Sequence, residues 1–147
     1  MQPIEIRPPM IRTVALLLSL VFCLASAAIA VADEPKTRLQ LPGIAGGTAV
    51  LEFAAAPLVS MSATPFRLEL KGADGLPQAG ASVRCDLTMP AMAMPENRPE
   101  LREVAPGIYA GEAIFTMAGA WQAAFAVERP EWGKEILIFA IERVLLK

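Results

Sequence analysis

The chain has 147 residues, a formal net charge of −2 and no histidine. This slight acidity argues against a nucleic acid or an anionic membrane as the partner. The absence of histidine removes the most common general base and the most common ligand for zinc and Cu(II), so we expect a protein that is not an enzyme.

The N-terminal segment, residues 1–32, has the composition of a secretory signal peptide. Arg7 and Arg12 precede a long apolar run, and Ala30-Val31-Ala32 offers a small-x-small cleavage site. An uncleaved membrane anchor is the alternative, because the apolar run is about long enough to span a bilayer. We therefore expect a periplasmic or secreted protein, or one anchored to the inner membrane if the segment is uncleaved.

The rest of the chain shows a mainly β pattern after a short connection. Residues 33–47 are predicted to form an exposed linker, since a polar stretch is followed by a proline and three glycines. Alternating apolar residues then predict about seven short strands and no convincing helix. The predicted strands cover residues 48–54, 66–71, 82–89, 100–104, 109–116, 121–128 and 134–146, with a short helix as the alternative at the very end.

Short strands separated by turn signals favour one all-β domain over residues 48–147. The predicted architecture is an antiparallel β-sandwich, and a closed barrel is the alternative. Beyond the predicted leader the chain keeps one cysteine, Cys85, so an internal disulfide cannot form there.

The most distinctive segment is Met89-Pro90-Ala91-Met92-Ala93-Met94-Pro95, where three methionines fall within six residues. Thioether sulfur is a soft donor that suits Cu(I) far better than Zn²⁺, Mg²⁺ or Ca²⁺. The two prolines bend the path, so that a loop could gather the three sulfurs. Met117 would add a fourth if the strand before it ends on the same side of the sandwich. The predicted metal ligands are therefore Met89, Met92, Met94 and Met117, and the predicted cofactor is Cu(I).

Two other roles for these methionines stay open from the sequence. Methionine commonly fills gaps where a loop covers a core. Exposed methionine also suits adaptable surfaces that bind protein partners.

The remaining candidate residues are expected to be structural. Cys85 alternates with apolar neighbours, which predicts a buried small hydrophobe rather than a ligand. Tyr109 and Trp121 are expected to be core or strand-packing aromatics, and Trp132 is expected in a loop at a contact surface. The charged stretch from Glu96 to Glu103 is expected to be solvated.

Several short motifs follow one another along the chain. They are Gly75-Leu76-Pro77, the strand that ends in Met89-Pro90, the Pro106-Gly107-Ile108-Tyr109 turn and Met117-Ala118-Gly119-Ala120-Trp121. Over about residues 66–127 the chain thereby resembles the YtkA-like and FixH-like family of secreted or membrane-anchored bacterial domains, which look related to the CopC-like copper carriers.

The resemblance implies an immunoglobulin-like β-sandwich that faces the periplasm or the cell exterior. It also implies a role near copper delivery or oxidase maturation. Family members often carry histidine in the loop after the Met-Pro element, where this chain has Ala91 and Ala93. The departure counts against a Cu(II) site and is compatible with Cu(I).

Two functions from different classes follow. The first is a Cu(I) carrier that passes the ion to or from a copper-receiving protein or a membrane complex in the envelope. The second is a metal-free module that supports assembly of an envelope complex, with the methionine loop and Trp132 as contact surfaces.

Overall fold

The structure is a computed structural model that describes residues 36–131 and 133–147. The predicted signal peptide or anchor, residues 1–32, and Trp132 lie outside the described residues. The described elements are one 3-10 turn, Ile44–Gly46, and eight strands: β1 Thr37–Pro42, β2 Thr48–Phe53, β3 Ala63–Lys71, β4 Ser82–Thr88, β5 Leu101–Ala105, β6 Ile108–Ile114, β7 Gly119–Arg129 and β8 Gly133–Val144.

The strands form two antiparallel sheets. One sheet has the order β1-β2-β3-β6-β5, and the other has the order β4-β7-β8. The prediction of an all-β antiparallel sandwich is confirmed, with eight strands rather than seven, and the barrel alternative is wrong because the sheets are separate. Residues 133–144 extend as a strand, not as the alternative terminal helix. Within the described ranges, no helix is both long and apolar enough to cross a membrane.

The core lies between the sheets and is filled by the residues whose alternation predicted the strands. On β7, the side chains of Trp121, Ala123, Phe125 and Val127 are at most 1% exposed. Burying one large apolar side chain contributes about 1.5–3 kcal/mol to stability. Six aromatic rings contact in series through the core at centroid distances of 5.4–6.0 Å, in the order Trp121, Phe115, Phe53, Phe66, Phe125 and Phe139.

Strand β1 occupies part of the segment predicted to be an exposed linker. It pairs with β2 from Thr37 opposite Phe53 to Pro42 opposite Thr48. Leu39 packs partly on the core, so the pairing of β1 with β2 also buries apolar surface. The linker prediction is wrong for residues 37–42, because Pro42 is the last residue of β1 and only the three glycines lie in the turn that follows.

Tyr109 closes the end of the sandwich where β3 turns toward β4. Its hydroxyl donates a hydrogen bond to the carbonyl oxygen of Gln78 and accepts one from the Ala81 N–H, both at 3.0 Å. Burial raises the pKa of the Tyr109 phenol, an effect that the Ala81 N–H partly offsets. The expectation that Tyr109 and Trp121 are buried is confirmed, and Tyr109 additionally ties a loop to the core.

Glu103 has a structural role at this same end. Its carboxylate accepts hydrogen bonds from the backbone amides of Gly80 and Gly107 at 3.1 Å. The sequence pattern assigned this residue only to a solvated polar stretch. The carboxylate is exposed, but it also joins two turns.

Candidate metal centre

Three loops meet at the end of the sandwich opposite Tyr109, and we call this end the methionine end. The loops are residues 54–62 between β2 and β3, residues 89–100 between β4 and β5, and residues 115–118 between β6 and β7. The pairing registers place them together, since Ala63 lies opposite Ile114 and Thr88 lies opposite Gln122. Every methionine in the described part of the chain lies in one of these loops.

The loop after β4 is held at both ends of its methionine segment. Near its start, the Met92 N–H donates to the carbonyl oxygen of Met89 at 3.3 Å, which makes a turn around Pro90. Near its end, Asn97 accepts the Leu87 N–H through its carbonyl oxygen at 2.8 Å. The loop therefore folds back along the open edge of β4.

Asn97 also ties this loop to the other sheet. Its side-chain Nδ2 donates to the carbonyl oxygen of Ile114 at 2.8 Å. Ile114 is the last residue of β6, three positions before Met117. One asparagine thus connects the segment that carries three predicted ligands to the strand that leads to the fourth.

Met89 reaches the start of β7, the strand that follows the Met117 loop. An ideal Cβ built at Gly119 would lie 3.0 Å from Met89 Cε, so the tip of Met89 rests on the start of β7. Met117 is two residues before that glycine, and its carbonyl oxygen accepts a hydrogen bond from Trp121 Nε1 at 3.0 Å. From the sequence, Met117 is included only on the condition that the strands before Met89 and Met117 end on the same side of the sandwich. Strands β4 and β6 do end on the same side.

The four predicted ligands divide into two pairs by exposure. Met89 and Met94 are half-buried and pack against the core. Met92 is 50% exposed and Met117 is 39% exposed. The half-buried pair fills gaps beside the core, as methionine commonly does, whereas the other pair presents much of its surface to solvent.

Sequence reasoning missed Met61, which the structure places at the same end. It is 65% exposed, and its N–H donates to the carbonyl oxygen of Phe115 at 2.7 Å. Met61 is far from the methionine-rich segment in sequence, and only the pairing of β3 with β6 brings it near. No local sequence motif indicates that Met61 lies near the other methionines.

The stretches of the methionine end that carry the methionines contain no charged residue, and the nearest charges in the loop after β4 begin at Glu96. Residues 54–62, 89–95 and 115–118 include no Asp, Glu, Lys or Arg. Among the described residues, no group of three or more His, Cys, Asp or Glu side chains is placed to hold a metal. Thioether sulfur is therefore the donor that this end offers, and it favours a soft ion such as Cu(I).

Cys85 does not extend the set of soft donors. Its side chain is 3% exposed and belongs to the core, which confirms the expectation that it is buried. Burial raises the pKa of the Cys85 thiol from 9.0 to about 12, and the neighbouring Asp86 adds to the increase. The thiol is therefore protonated at neutral pH, whereas a metal ligand must be the thiolate.

A second concave region lies on the outer face of the three-stranded sheet. It is a cavity of about 330 Å³ lined by residues that include Arg84, Asp86, Arg98 and Ile136. Arg98 pairs with Asp86 at 3.6 Å, and both side chains are exposed. Exposed pairs of this kind contribute little energy and leave a solvated surface rather than an acid–base site.

Comparison with known proteins identifies one family. Residues 46–126 match the family model described as YtkA-like. No curated protein matches the chain. A solved structure of a DUF4785 family protein from Legionella pneumophila is similar, with 13% sequence identity and a TM-score of 0.48, over 68% of this chain and 28% of that one. This chain therefore spans little more than a quarter of that protein.

Proposed function

The chain belongs to the YtkA-like family, as its motifs predicted, and we propose that it binds Cu(I) at the methionine end and carries the ion within the cell envelope. The proposed ligands are the thioether sulfurs of Met89, Met92, Met94 and Met117.

The observation that carries the proposal is that two methionine-bearing loops lie at the same end of the sandwich, with no charged residue in the stretches that carry the methionines. Met89 Cε reaches to within 3.0 Å of the Cβ position of Gly119, two residues from Met117. A soft monovalent ion needs soft donors and gains little from carboxylates. This end supplies thioethers from both loops and no carboxylate until Glu96.

The combination of two half-buried and two exposed methionines suits a carrier better than a permanent structural metal site. Met89 and Met94 are held by the core, so their positions are ordered before an ion arrives. Met92 and Met117 are exposed, so an incoming or departing ion can reach their sulfurs from solvent or from a partner. A structural metal site, by contrast, is normally closed.

The proposed setting is the periplasm or the exterior, with the protein free or anchored at the inner membrane. It depends on the leader-like composition of residues 1–32. The proposed partner is a copper-receiving protein or a membrane complex in the envelope. A contact surface made of the uncharged methionine stretches would let an ion pass between two sets of soft ligands without burying a charged side chain.

A competitive titration tests the proposal. The purified protein is titrated anaerobically with Cu(I) against a chromogenic chelator, beside a Met92→Ala/Met94→Ala variant. The matched control is Leu76→Ala, because Leu76 is 63% exposed and lies in the turn at the opposite end of the sandwich. We expect the wild type and the control to bind equally and the double variant to bind more weakly. Absence of binding, or equal binding by the double variant, would refute the proposal.

A second function is favoured by a different observation, the apolar surface at the methionine end. Ile114, the last residue of β6, is 45% exposed, and Leu146 is 79% exposed and follows Leu145, whose carbonyl oxygen accepts the Ser60 N–H at this end. A metal-free module for assembly of an envelope complex would use this surface as a contact. Capture of the same partner in equal yield from copper-depleted and copper-replete cells supports this second function and counts against the first.

A further inference from the structure

Met61 is the fifth methionine of the methionine end and stands outside the proposed set of four ligands. It lies in the loop between β2 and β3, next to the start of β3. At 65% it is more exposed than Met92 or Met117. A side chain this exposed does not fill a gap in the core, so its position calls for another explanation.

The backbone around Met61 is fixed from two sides. The Met61 N–H donates to the carbonyl oxygen of Phe115 at 2.7 Å, and the Ser60 N–H donates to that of Leu145 at 2.8 Å. Phe115 is two residues before Met117, and an extended chain advances about 3.3 Å per residue, so the backbones of Met61 and Met117 lie within about 10 Å. Two unbranched methionine side chains can close this distance onto one ion.

Met61 also has a backbone conformation that a side chain rarely adopts. Its φ is +56°, in the left-handed region where glycine meets no steric penalty from a Cβ. A methionine at this position therefore carries a conformational cost that glycine would not carry. The thioether is the part of the residue that glycine would lack.

We infer that Met61 is a further thioether donor of the Cu(I) site, contributed by a third loop, and this inference rests on the proposed function. With Met92 and Met117 it forms an exposed set of three sulfurs, one from each loop. Met89 and Met94, which pack partly on the core, form a half-buried set. The site then extends across both sheets, because β3 and β6 belong to one sheet and β4 and β7 to the other.

Methionine methyl resonances test the inference directly. The full chain is labelled with ¹³C at the methionine ε-methyl groups and titrated with Ag(I), a soft ion that does not change oxidation state, and then with Cu(I). Single Met→Leu variants assign the signals. We expect the Met61 methyl to shift together with those of Met92 and Met117. If those two shift and Met61 does not, the inference is wrong and the proposed function stands. If no methyl shifts, both are wrong.

Affinity measurements on two variants separate the donor from the fold. Met61→Leu keeps the apolar volume, and Met61→Gly also relieves the left-handed backbone. We expect both to bind Cu(I) about tenfold more weakly than the wild type, as the loss of a group that shapes a metal site commonly does. We expect Met61→Gly to unfold at no lower temperature than the wild type. Cu(I) affinity equal to that of Leu76→Ala in both variants would overturn the inference.

Discussion

The burial of Cys85 predicts a loss of stability at alkaline pH that a matched variant should not show. The pKa of the thiol is raised from 9.0 to about 12 in the folded protein. A raised folded pKa leaves its full contribution in place below pH 9, and the contribution falls as the pH rises toward 12, because only the unfolded thiol ionises there. At pH 10.5, which is 1.5 units above the unfolded value, the loss is about 2 kcal/mol.

Urea unfolding at pH 7.5 and pH 10.5, under reducing conditions, measures this loss in the wild type and in Cys85→Ala. All other residues are the same in both proteins, so other effects of pH cancel in the comparison. We expect the wild type to lose about 2 kcal/mol more than Cys85→Ala over this interval. The small cavity left by alanine lowers stability equally at both pH values. If the wild type and Cys85→Ala lose the same free energy of unfolding, the thiol ionises in the folded state. Cys85 would then be a candidate metal ligand.

The other predictions concern the two ends of the sandwich. Tyr109→Phe should lower the free energy of unfolding by about 1–3 kcal/mol in urea titrations, because both hydrogen bonds of the hydroxyl are lost. Gly107→Ala should lower the free energy of unfolding by about 2 kcal/mol or more, because the φ of Gly107 is +72° and a Cβ there would lie 2.7 Å from the backbone nitrogen of Gln78. A change below about 0.5 kcal/mol would contradict this packing. Gly119→Ala should weaken Cu(I) binding in a chelator titration, because its Cβ would displace the tip of Met89. Cu(I) affinity should differ less than about threefold between pH 6 and pH 8, as thioethers carry no proton, and a steep rise with pH would point to a thiolate.

The strands that pack on both sides of the core could be predicted from the sequence. Phe66, Leu68 and Leu70 alternate with charged residues on β3, so a one-residue change of phase would bury charge there. On β7 the same change would expose Trp121 and Phe125 to solvent. These penalties make alternation a dependable signal for these strands.

Strand β1 could not be predicted in the same way. Only Leu39 and Leu41 mark its inward face, and both are half-buried. The strand exists because β2 offers an edge to pair with. Pairing with an edge depends on the other strand more than on the local pattern.

The candidate site, too, could be predicted from the sequence only in part. The segment from Met89 to Met94 is visible as a local motif, and the place of Met117 followed once the strand order was known. Met61 was missed because its position depends on the register of β3 with β6, a contact between residues far apart in sequence. The division into half-buried and exposed methionines depends on how the loop folds back along β4, which composition does not encode.

The proposed function depends on copper being held by sulfur at the methionine end. Copper K-edge X-ray absorption of the Cu(I)-loaded protein tests this most directly, because it reports both the oxidation state and the atoms in the first coordination shell. We predict Cu(I) in a shell of sulfur alone, with sulfur scatterers lost in the Met92→Ala/Met94→Ala variant. A first shell of nitrogen or oxygen, or a spectrum unchanged in that variant, would contradict it.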